Sequence, residues 1–255
     1  MRLDQLLVEM GLAQSRHKAQ ALVMAKMVLV DGKIALKPGQ IVKEGQEVKL
    51  VEQIRYVSRG GLKLEGALKK FGIDVGGLIA LDIGASTGGF TDCLLKHGAR
   101  KVVAVDVGRG QLDYKLKCDS RVISLEKTDA RSLKPEMFEE FFDVLTVDVS
   151  FISITKVLEN VVKLLKDDAK LLLLVKPQFE LSPKEIKKGI VKSKEARKKA
   201  VSKVAEFVIM LGYKVIDAVK AEPSGTKGNE EFFLYCVKGQ QTVNLEELLN
   251  RLNMC

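Results

Sequence analysis

The spacing of hydrophobic residues differs between the first 50 residues and the rest of the chain. Near the N-terminus, Leu3, Leu6 and Leu7 recur at helical spacing, and short apolar pieces follow from Val28. From Leu78 to about residue 238, short apolar runs alternate with helical stretches. This alternation predicts an α/β domain with a mostly parallel sheet, preceded by a small α+β unit.

Seven apolar runs in the second part predict strands, with helices between most of them. They are residues 79–83, 101–106, 121–125, 143–148, 170–175, 213–219 and 231–237. We expect a Rossmann-like, doubly wound sheet with helices on both faces. The predicted organisation is an N-terminal unit over 1–55, a linker over 56–62, a large domain over 63–240 whose first helix opens at Lys63, and a C-terminal helix within 241–255.

Composition limits the classes of protein that fit. The 255 residues include 42 Lys and Arg against 33 Asp and Glu, so the net charge is +9. This excess suggests a polyanionic partner, most simply nucleic acid, although a lysine-rich protein without such a partner also fits. No apolar run approaches the ~20 residues of a membrane span, and the N-terminus does not resemble a signal peptide. The four cysteines lack metal-ligand spacing, which favours a cytoplasmic protein with reduced thiols and no metal site.

Two parts of the sequence are rich in basic residues. Residues 1–64 contain eleven Lys and Arg against six Asp and Glu. Those on or beside the predicted helices either contact phosphates or form a solvated face; they are Arg2, Arg16, Lys18 and Lys26. Residues 184–203 hold nine basic and two acidic residues, and the same two interpretations apply to them.

A glycine-bearing turn separates a predicted strand from a predicted helix between residues 78 and 90. Glycine lets the backbone approach a ligand closely, and ligands of such sheets bind beyond the carboxyl ends of the strands. The spacing of Gly84, Gly88 and Gly89 differs from the dinucleotide-binding fingerprint. Asp82, beside the turn, would repel phosphates and suits a cationic amino acid, while Asp106, at the end of the next strand, suits a ribose diol. The combination favours S-adenosylmethionine over NAD; the alternative is an ordinary strand–turn–helix.

Charged residues lie at the ends of three further strands. Asp148 ends one strand, Lys176 directly follows five apolar residues, and Glu231 opens the last strand. A charge at the carboxyl end of a buried strand lies at the ligand crevice, although a lysine there could simply extend to solvent. A lysine base requires a lowered pKa, which neighbouring cations favour and carboxylates oppose. A pair of Lys63 and Lys176 framed by two acids could balance these effects and deprotonate a ribose hydroxyl.

Two sets of motifs resemble known families. The N-terminal patterns Arg-Leu-Asp-x-Leu-Leu, Ser-Arg-x-x-Ala and Val-Asp-Gly resemble the alpha-L RNA-binding motif of a small-subunit ribosomal protein and many RNA-modifying enzymes. Six later motifs resemble the hemolysin A/TlyA family of ribosomal RNA 2′-O-methyltransferases, which have an FtsJ-like catalytic domain. They are Tyr-Val-Ser-Arg-Gly-Gly-x-Lys-Leu, Asp-Ile-Gly-Ala-Ser-Thr-Gly-Gly-Phe-Thr-Asp, Val-Gly-x-Gly-Gln-Leu, Val-Asp-Val-Ser-Phe-Ile-Ser, Val-Lys-Pro-Gln-Phe-Glu and Gly-Asn-x-Glu-Phe.

The resemblance implies specific roles. A catalytic tetrad falls on Lys63, Asp148, Lys176 and Glu231, where Glu231 rather than Glu230 matches the last motif. The loop from Gly84 to Phe90 would hold the methionine end of S-adenosylmethionine, Asp106 the ribose, and Asp129 with Ala130 the adenine, although relatives often carry asparagine in place of Asp129. The candidate cofactor-binding residues are Asp82, Gly84, Ala85, Ser86, Gly88, Gly89, Phe90, Asp106, Asp129 and Ala130. The candidate RNA-binding residues are Arg2, Arg16, Lys18 and Arg59.

The expected activity is methylation of a cytidine 2′-OH in 16S and/or 23S ribosomal RNA. The strand-end sequence Asp148-Val-Ser-Phe lacks the Asn/Asp-Pro-Pro-aromatic clamp of base N-methyltransferases, which disfavours methylation of a base amine. A non-catalytic RNA-binding or ribosome-assembly protein remains an alternative, as does the cytolysin that the family name suggests. The sequence leaves the target nucleotide and the oligomeric state open.

Overall fold

The computed structural model describes residues 1–24, 27–50, 55–186, 189–225, 228–241 and 244–252. The chain divides into two compact units, Met1–Arg55 and Tyr56–Cys255. The predicted linker over 56–62 is part of the second unit, because Tyr56 is buried and a helix begins at Arg59. The predicted start of this helix at Lys63 is therefore wrong by one turn.

The first unit contains two helices and a small antiparallel sheet. Its elements are α1 (Leu3–Glu9), α2 (Arg16–Met24), β1 (Val28–Val30), β2 (Lys33–Ile34) and β3 (Val48–Leu50). The strand order is β2-β1-β3. Leu3 and Leu7 of α1 pack with Ala19 and Val23 of α2, so the helical spacing of these residues marks the buried faces. Outside this sheet, Ile41 forms an isolated β-bridge with Arg2.

The second unit alternates strands and helices over most of its length. Its strands are β4 (Ile79–Ile83), β5 (Lys101–Val105), β6 (Val122–Leu125), β7 (Phe142–Val147), β8 (Leu165–Val175), β9 (Tyr213–Lys220) and β10 (Phe232–Lys238). Its α-helices are α3 (Arg59–Phe71), α4 (Gly89–Lys96), α5 (Tyr114–Lys117), α6 (Thr155–Val161), α7 (Pro177–Glu180), α8 (Lys194–Met210) and α9 (Leu245–Arg251). The predicted strands agree to within one residue at each end, except that β8 begins at Leu165.

The seven strands form one sheet in the order β6-β5-β4-β7-β8-β10-β9. The first five strands in this order are parallel, and β10 lies antiparallel between β8 and β9. The predicted mostly parallel sheet is confirmed. The chain order reverses at β4, whose neighbours are β5 and β7, and this switch point places a ligand crevice beyond its carboxyl end.

Hydrophobic cores cover both faces of the sheet. Leu173 of β8 packs in the core with residues of α6, α8 and α9, whereas Leu172 packs in the core with residues of α3, α4 and α5. Adjacent residues of a strand point to opposite faces, so one apolar run serves both cores. The predicted C-terminal helix is α9, which buries Leu248 and Leu249; residues 242, 243 and 253–255 lie outside the described part of the chain. No helix in the described ranges is long and apolar enough to cross a membrane.

Candidate active site

The loop after β4 is shaped by close packing against the loop after β7. Gly84 has a φ of +80°, and a Cβ there would lie 2.3 Å from the backbone oxygen of Asp148. Only glycine fits where two backbones pass this closely. The amides of Gly84 and Ala85 both donate to the carbonyl oxygen of Val105, at 2.9 and 3.2 Å. These bonds fix the loop over the ends of three neighbouring strands.

A cavity of about 520 Å³ opens beside this loop. Five of the predicted cofactor-binding residues line it, namely Gly84, Ser86, Asp106, Asp129 and Ala130. Apolar side chains complete the lining, among them Val107, Val149, Phe151, Ile152 and Val157. Apolar walls with a few fixed polar groups suit a nucleoside, because the base needs apolar surface and the sugar needs hydrogen-bonding partners.

The carboxylate of Asp106 is held at the rim of this cavity by two backbone amides. Its Oδ2 accepts from the amide of Ser86 at 2.8 Å, and its Oδ1 accepts from the amide of Gly108 at 2.7 Å. Ser86 reaches this position with a φ of +50°. Asp106 therefore links the glycine loop to the loop after β5 and presents a fixed carboxylate to the cavity.

Asp129 lines the cavity, but its carboxylate is already paired. Arg131 lies 2.6 Å from Asp129 Oδ2, and its backbone amide donates to Oδ1 at 2.9 Å. The hydrogen bonds from the side chain and the backbone of Arg131 hold the pKa of Asp129 below its usual range. The carboxylate oxygens stay ionised and able to accept a hydrogen bond from an amine.

A second cavity of about 360 Å³ is lined by Lys63, Asp148, Lys176 and Glu231 together. Gly84, Ser86 and Asp148 line both cavities, so the two are neighbours. The four charged groups come from the helix α3, the ends of β7 and β8, and the residue before β10. Ala85, Gly89, Phe90 and Arg59 also line this smaller cavity.

The four groups form two ion pairs. Lys63 Nζ lies 2.6 Å from Glu231 Oε2, and Lys176 Nζ is ion-paired with Asp148 Oδ1. Lys176 Nζ also donates a hydrogen bond to Ser150 Oγ at 3.0 Å. Each lysine side chain is only 12% exposed, so both amines are largely removed from bulk water. The arrangement places two amines and two carboxylates around one small, polar space.

Glu230 and Glu231 point to different partners. Glu231 is buried and pairs with Lys63, whereas Glu230 pairs with Arg197 and with Lys220, whose Nζ lies 2.5 Å from Oε1. The side chain of Glu231 packs against Gly225, where a Cβ would lie 2.1 Å from Glu231 Oε1. The geometry therefore puts Glu231, and not Glu230, in the charged cavity, and it makes Gly225 part of its support.

Asp82 differs from its predicted position. Its side chain is 0% exposed, and its two oxygens accept hydrogen bonds from Thr146 Oγ1 at 2.8 Å and Thr91 Oγ1 at 2.7 Å. Asp82 is a residue inside β4, not the residue after it, so its carboxylate is turned into the protein and lines neither cavity. Burial raises the pKa of Asp82 to about 6. The predicted direct contact with a cationic ligand is corrected to a supporting position beneath the loop.

The remaining loop glycines have different neighbours. Gly88 has a φ of +94°, and a Cβ there would lie 2.3 Å from Leu116 Cδ1. Gly88 is absent from the lining of both cavities, so it shapes the loop rather than a ligand surface. Gly89 begins α4, and a Cβ there would lie 2.2 Å from Ser58 Oγ. The buried ring of Phe90 packs against that of Phe233, with ring centroids 5.8 Å apart.

The segment from Tyr56 to Gly61 packs against α4. The amide of Val57 donates to Asp92 Oδ2 at 2.8 Å, and Lys96 Nζ lies 5.1 Å from the centre of the Tyr56 ring. Gly61 provides room for that ring, because a Cβ there would lie 2.2 Å from Tyr56 Cγ. This packing fixes the start of α3 and hence Lys63.

The predicted RNA-binding residues lie in both units. In the first unit, Arg2 and Arg16 are half-exposed and both pair with the buried Asp4, while Lys18 donates to Gln14 at 2.5 Å. Lys26 lies outside the described residues. Arg59, in the second unit, lines the charged cavity.

Much of the lysine-rich stretch over 184–203 is paired within the protein. Carboxylates from outside the stretch pair with three of its basic side chains: Arg197 with Glu230, Lys198 with Glu246 and Lys203 with Glu180. A fourth, Lys199, pairs with Glu185 of the stretch itself. Lys187 and Lys188 lie outside the described residues. For the four paired residues, the geometry favours a structural role over a phosphate-contacting one.

Sequence reasoning missed several residues of the site. Ser150 and Gly225 contact members of the charged group, and Gln111 and Ser58 each line one cavity. Ser150 lies inside the motif Val-Asp-Val-Ser-Phe-Ile-Ser, which is the signal that could have identified it. Across the described ranges, no group of three or more His, Cys, Asp or Glu residues is arranged to hold a metal ion.

Comparison with known proteins matches both units to families. Residues 56–238 match the model of the FtsJ-like methyltransferase family, and residues 1–48 match that of the S4 domain. "Hemolysin A" of Brachyspira hyodysenteriae is 43% identical over 93% of this chain and 100% of its own length. The "16S/23S rRNA (cytidine-2′-O)-methyltransferase TlyA" of Mycobacterium tuberculosis is 44% identical over 92% of this chain and 88% of its own.

A solved structure agrees with these matches. The structure of a hemolysin-like protein from Streptococcus thermophilus is 39% identical and superposes with a TM-score of 0.77, covering 99% of this chain and 95% of that one. These similarities extend over both units. The chain belongs to the hemolysin A/TlyA family, with an S4 domain followed by an FtsJ-like methyltransferase domain.

Proposed function

We propose that this protein is a cytoplasmic enzyme that transfers a methyl group from S-adenosylmethionine to a ribose 2′-OH of ribosomal RNA. The observation that carries the proposal is the convergence of Lys63, Asp148, Lys176 and Glu231 on one cavity beside the glycine loop. A cytidine in 16S and/or 23S ribosomal RNA is the proposed target, by analogy with the name of the Mycobacterium tuberculosis relative.

The larger cavity is the proposed binding site of S-adenosylmethionine. Asp106 would bind the ribose hydroxyls, Asp129 and Ala130 would lie at the adenine, and the loop from Gly84 would hold the methionine end. S-adenosylmethionine supplies a methyl group on a positively charged sulfur, so the transfer itself needs no further activation of the leaving group. The buried Asp82 supports this loop through Thr91 and Thr146 rather than contacting the sulfonium.

Lys176 is the proposed base of the reaction. In its neutral form, Nζ would accept the proton of the 2′-OH while the oxygen attacks the methyl carbon. Asp148 and Ser150 hold this amine in place, and the Lys63–Glu231 pair lies on the same small cavity. Lys63 would donate a hydrogen bond to the attacking oxygen, where a fixed cation stabilises developing negative charge.

The S4 domain is the proposed RNA-binding unit. Arg2 directly precedes α1 and Arg16 begins α2, and about half of each side chain is exposed. Structured RNA is recognised largely by its shape and its phosphates, so basic groups on a folded unit suit this role. Arg59 would add a contact beside the reacting nucleotide.

The test measures transfer of labelled methyl from S-adenosylmethionine to purified ribosomal subunits, followed by nuclease digestion to nucleosides. Label in a 2′-O-methylnucleoside is expected, and the labelled subunit identifies the substrate. Label on a base would refute the proposed 2′-OH chemistry. No label on either subunit, with S-adenosylmethionine bound, would redirect the assay to free RNA and assembly intermediates, whereas no cofactor binding would favour a non-catalytic RNA-binding protein.

A pair of lysine variants tests the role of the charged cavity. Lys176→Ala should lower transfer by about 10²–10⁴-fold, the usual contribution of a general base, with RNA binding retained. Lys199→Ala is the matched control, because Lys199 is a lysine of the same unit that pairs with Glu185 at the surface. Equal activity of the two variants would refute the assignment of Lys176.

A further inference from the structure

The first unit contains a buried carboxylate whose two oxygens both accept hydrogen bonds. Asp4 of α1 is 0% exposed. Its Oδ1 accepts from Arg2 Nε at 3.0 Å, and its Oδ2 accepts from Arg2 Nη2, Arg16 Nε and Gln20 Nε2 at 3.0, 3.1 and 3.0 Å. The bonds from Arg2 and Gln20 hold the pKa of Asp4 below its usual range in spite of its burial. Asp4 is therefore a permanent anion between two cations.

The two arginines use only part of their hydrogen-bonding capacity on Asp4, and about half of each side chain is exposed. Their side chains are 43% and 52% exposed. A guanidinium has five N–H donors, of which Arg2 commits two to Asp4 and Arg16 commits one. Because both groups bond to the same oxygen, Asp4 Oδ2, they are held close together.

A third element supports this arrangement. The turn at residues 38–40 lies against the start of α1, where the amides of Leu3 and Asp4 donate to the carbonyl oxygens of Gln40 and Pro38 at 2.8 and 3.0 Å. A Cβ on Gly39 would lie 3.1 Å from both Nη1 and Nη2 of Arg2. The glycine thus leaves room for the guanidinium against the turn.

We propose that Asp4 is a positioning residue that holds Arg2 and Arg16 as a preformed site for one phosphodiester group of the RNA. This inference rests on the RNA-binding function proposed for the S4 domain and identifies a phosphate-binding site within it. Planar, bidentate guanidinium groups match the geometry of a phosphate, and two groups ordered during folding need not be ordered again upon binding.

The direction in which one substitution changes the affinity for RNA distinguishes a positioning role of Asp4 from an effect of net charge. Asp4→Asn removes a negative charge, so an attraction based on net charge alone would become stronger. If Asp4 positions the arginines, binding of ribosomal subunits should instead weaken by about tenfold, and the slope of log K against log salt should fall by about one. The measurement is filter binding of the full-length chain to labelled subunits over a series of salt concentrations.

Asp31→Asn provides the matched control. Asp31 lies in the same unit and bonds to Gln46 and to the amide of Glu47, not to an arginine, so its loss changes the net charge equally. Its φ of +49° is tolerated by asparagine. Binding by Asp31→Asn should equal or slightly exceed that of the wild-type protein.

Two further variants keep the proposal testable if Asp4→Asn unfolds the first unit. Gly39→Ala leaves Asp4 in place but crowds the Arg2 guanidinium, and Arg16→Lys keeps the charge but loses the planar group. Both should weaken binding while circular dichroism shows a folded chain. Folded variants that bind as tightly as Asp31→Asn would overturn the proposal. Failure of the wild-type protein to bind subunits would overturn the RNA-binding function itself and this site with it.

Discussion

Asp82 offers a quantitative test of the electrostatics beneath the glycine loop. Its ordinary pKa is 3.8, and burial raises the pKa to about 6 in the folded protein. A raised pKa means that the folded state binds the proton more tightly than the unfolded state does. The protonated form is therefore favourable at low pH, and the protein loses this contribution to stability as the pH rises from about 4 through about 6.

The expected magnitude follows from the size of the shift. The difference between 3.8 and about 6, at 1.36 kcal/mol per pKa unit, corresponds to about 3 kcal/mol. Asp82→Asn removes the titration while keeping the size of the side chain and its capacity to bond Thr91 and Thr146. Because the unfolded carboxyl is already more than half ionised at pH 4, the free energy of unfolding of the variant, relative to wild type, should increase by about 2 kcal/mol of this total between pH 4 and pH 7.5.

Tyrosine signals give an assay that is specific for the second unit. The chain has no tryptophan and four tyrosines, which are Tyr56, Tyr114, Tyr213 and Tyr235. All four belong to the second unit, so urea titrations followed by tyrosine fluorescence report its unfolding separately from that of the first unit.

A second aspartate gives a control of opposite sign. Burial acts to raise the pKa of Asp143, but hydrogen bonds from Lys166 and the amide of Ile79 outweigh it and leave the pKa below its usual range. The stabilisation by ionised Asp143 is present above its unfolded pKa and is lost as the pH falls, so Asp143→Asn should be most costly near neutral pH. If the stability of Asp82→Asn ran parallel to wild type across the pH range, the account of a buried, costly carboxylate would be wrong.

Three further predictions concern the charged cavity and are read from methyl transfer to ribosomal subunits. Glu231→Gln should lower transfer by at least about tenfold, while Glu230→Gln should stay within about twofold; equal losses would contradict the separation of the two acids. Gly225→Ala should lower transfer by up to about 10²-fold because the added Cβ displaces the Glu231 carboxylate, and normal activity with a folded protein would contradict this support. Ser150→Ala should lower kcat by about tenfold with an unchanged KM for the subunits, as expected if it holds Lys176 in place; a change in KM alone would indicate substrate binding instead.

The sheet could be predicted because its strands are apolar runs separated by helical stretches. The charged cavity could be predicted because charged residues follow the carboxyl ends of these strands. Asp148 and Lys176 directly follow apolar runs, and parallel strands bring their carboxyl ends to the same edge. The family motifs added Lys63 and the preference for Glu231. Neither the apolar runs nor the motifs could show that the side chains of Glu230 and Glu231 point to different partners. Both residues lie in an irregular segment before β10, where position in the sequence does not determine the direction of a side chain.

The sequence-based predictions that the structure corrects failed for identifiable physical reasons. All five residues of β4 are buried, so no alternation revealed that Asp82 turns inward to two threonines. Gly60 and Gly61 disfavour a helix by propensity, yet α3 begins at Arg59 because the glycines allow close packing against Phe90 and Tyr56. The lysine-rich stretch resembled a solvated or RNA-facing surface, because most of the carboxylates that pair with it come from distant parts of the sequence.

The ion pair between Lys63 and Glu231 joins residues that are 168 positions apart. The lining of the larger cavity ends at Val157, whereas that of the charged cavity extends to Glu231, which precedes a strand inserted between β8 and β9. During synthesis, the nucleoside-sized cavity therefore has all of its residues long before the charged cavity does. A nascent chain therefore lacks the complete set of charged groups until Glu231 has been synthesised, so the chemistry proposed for them becomes available only after the larger cavity has all of its residues.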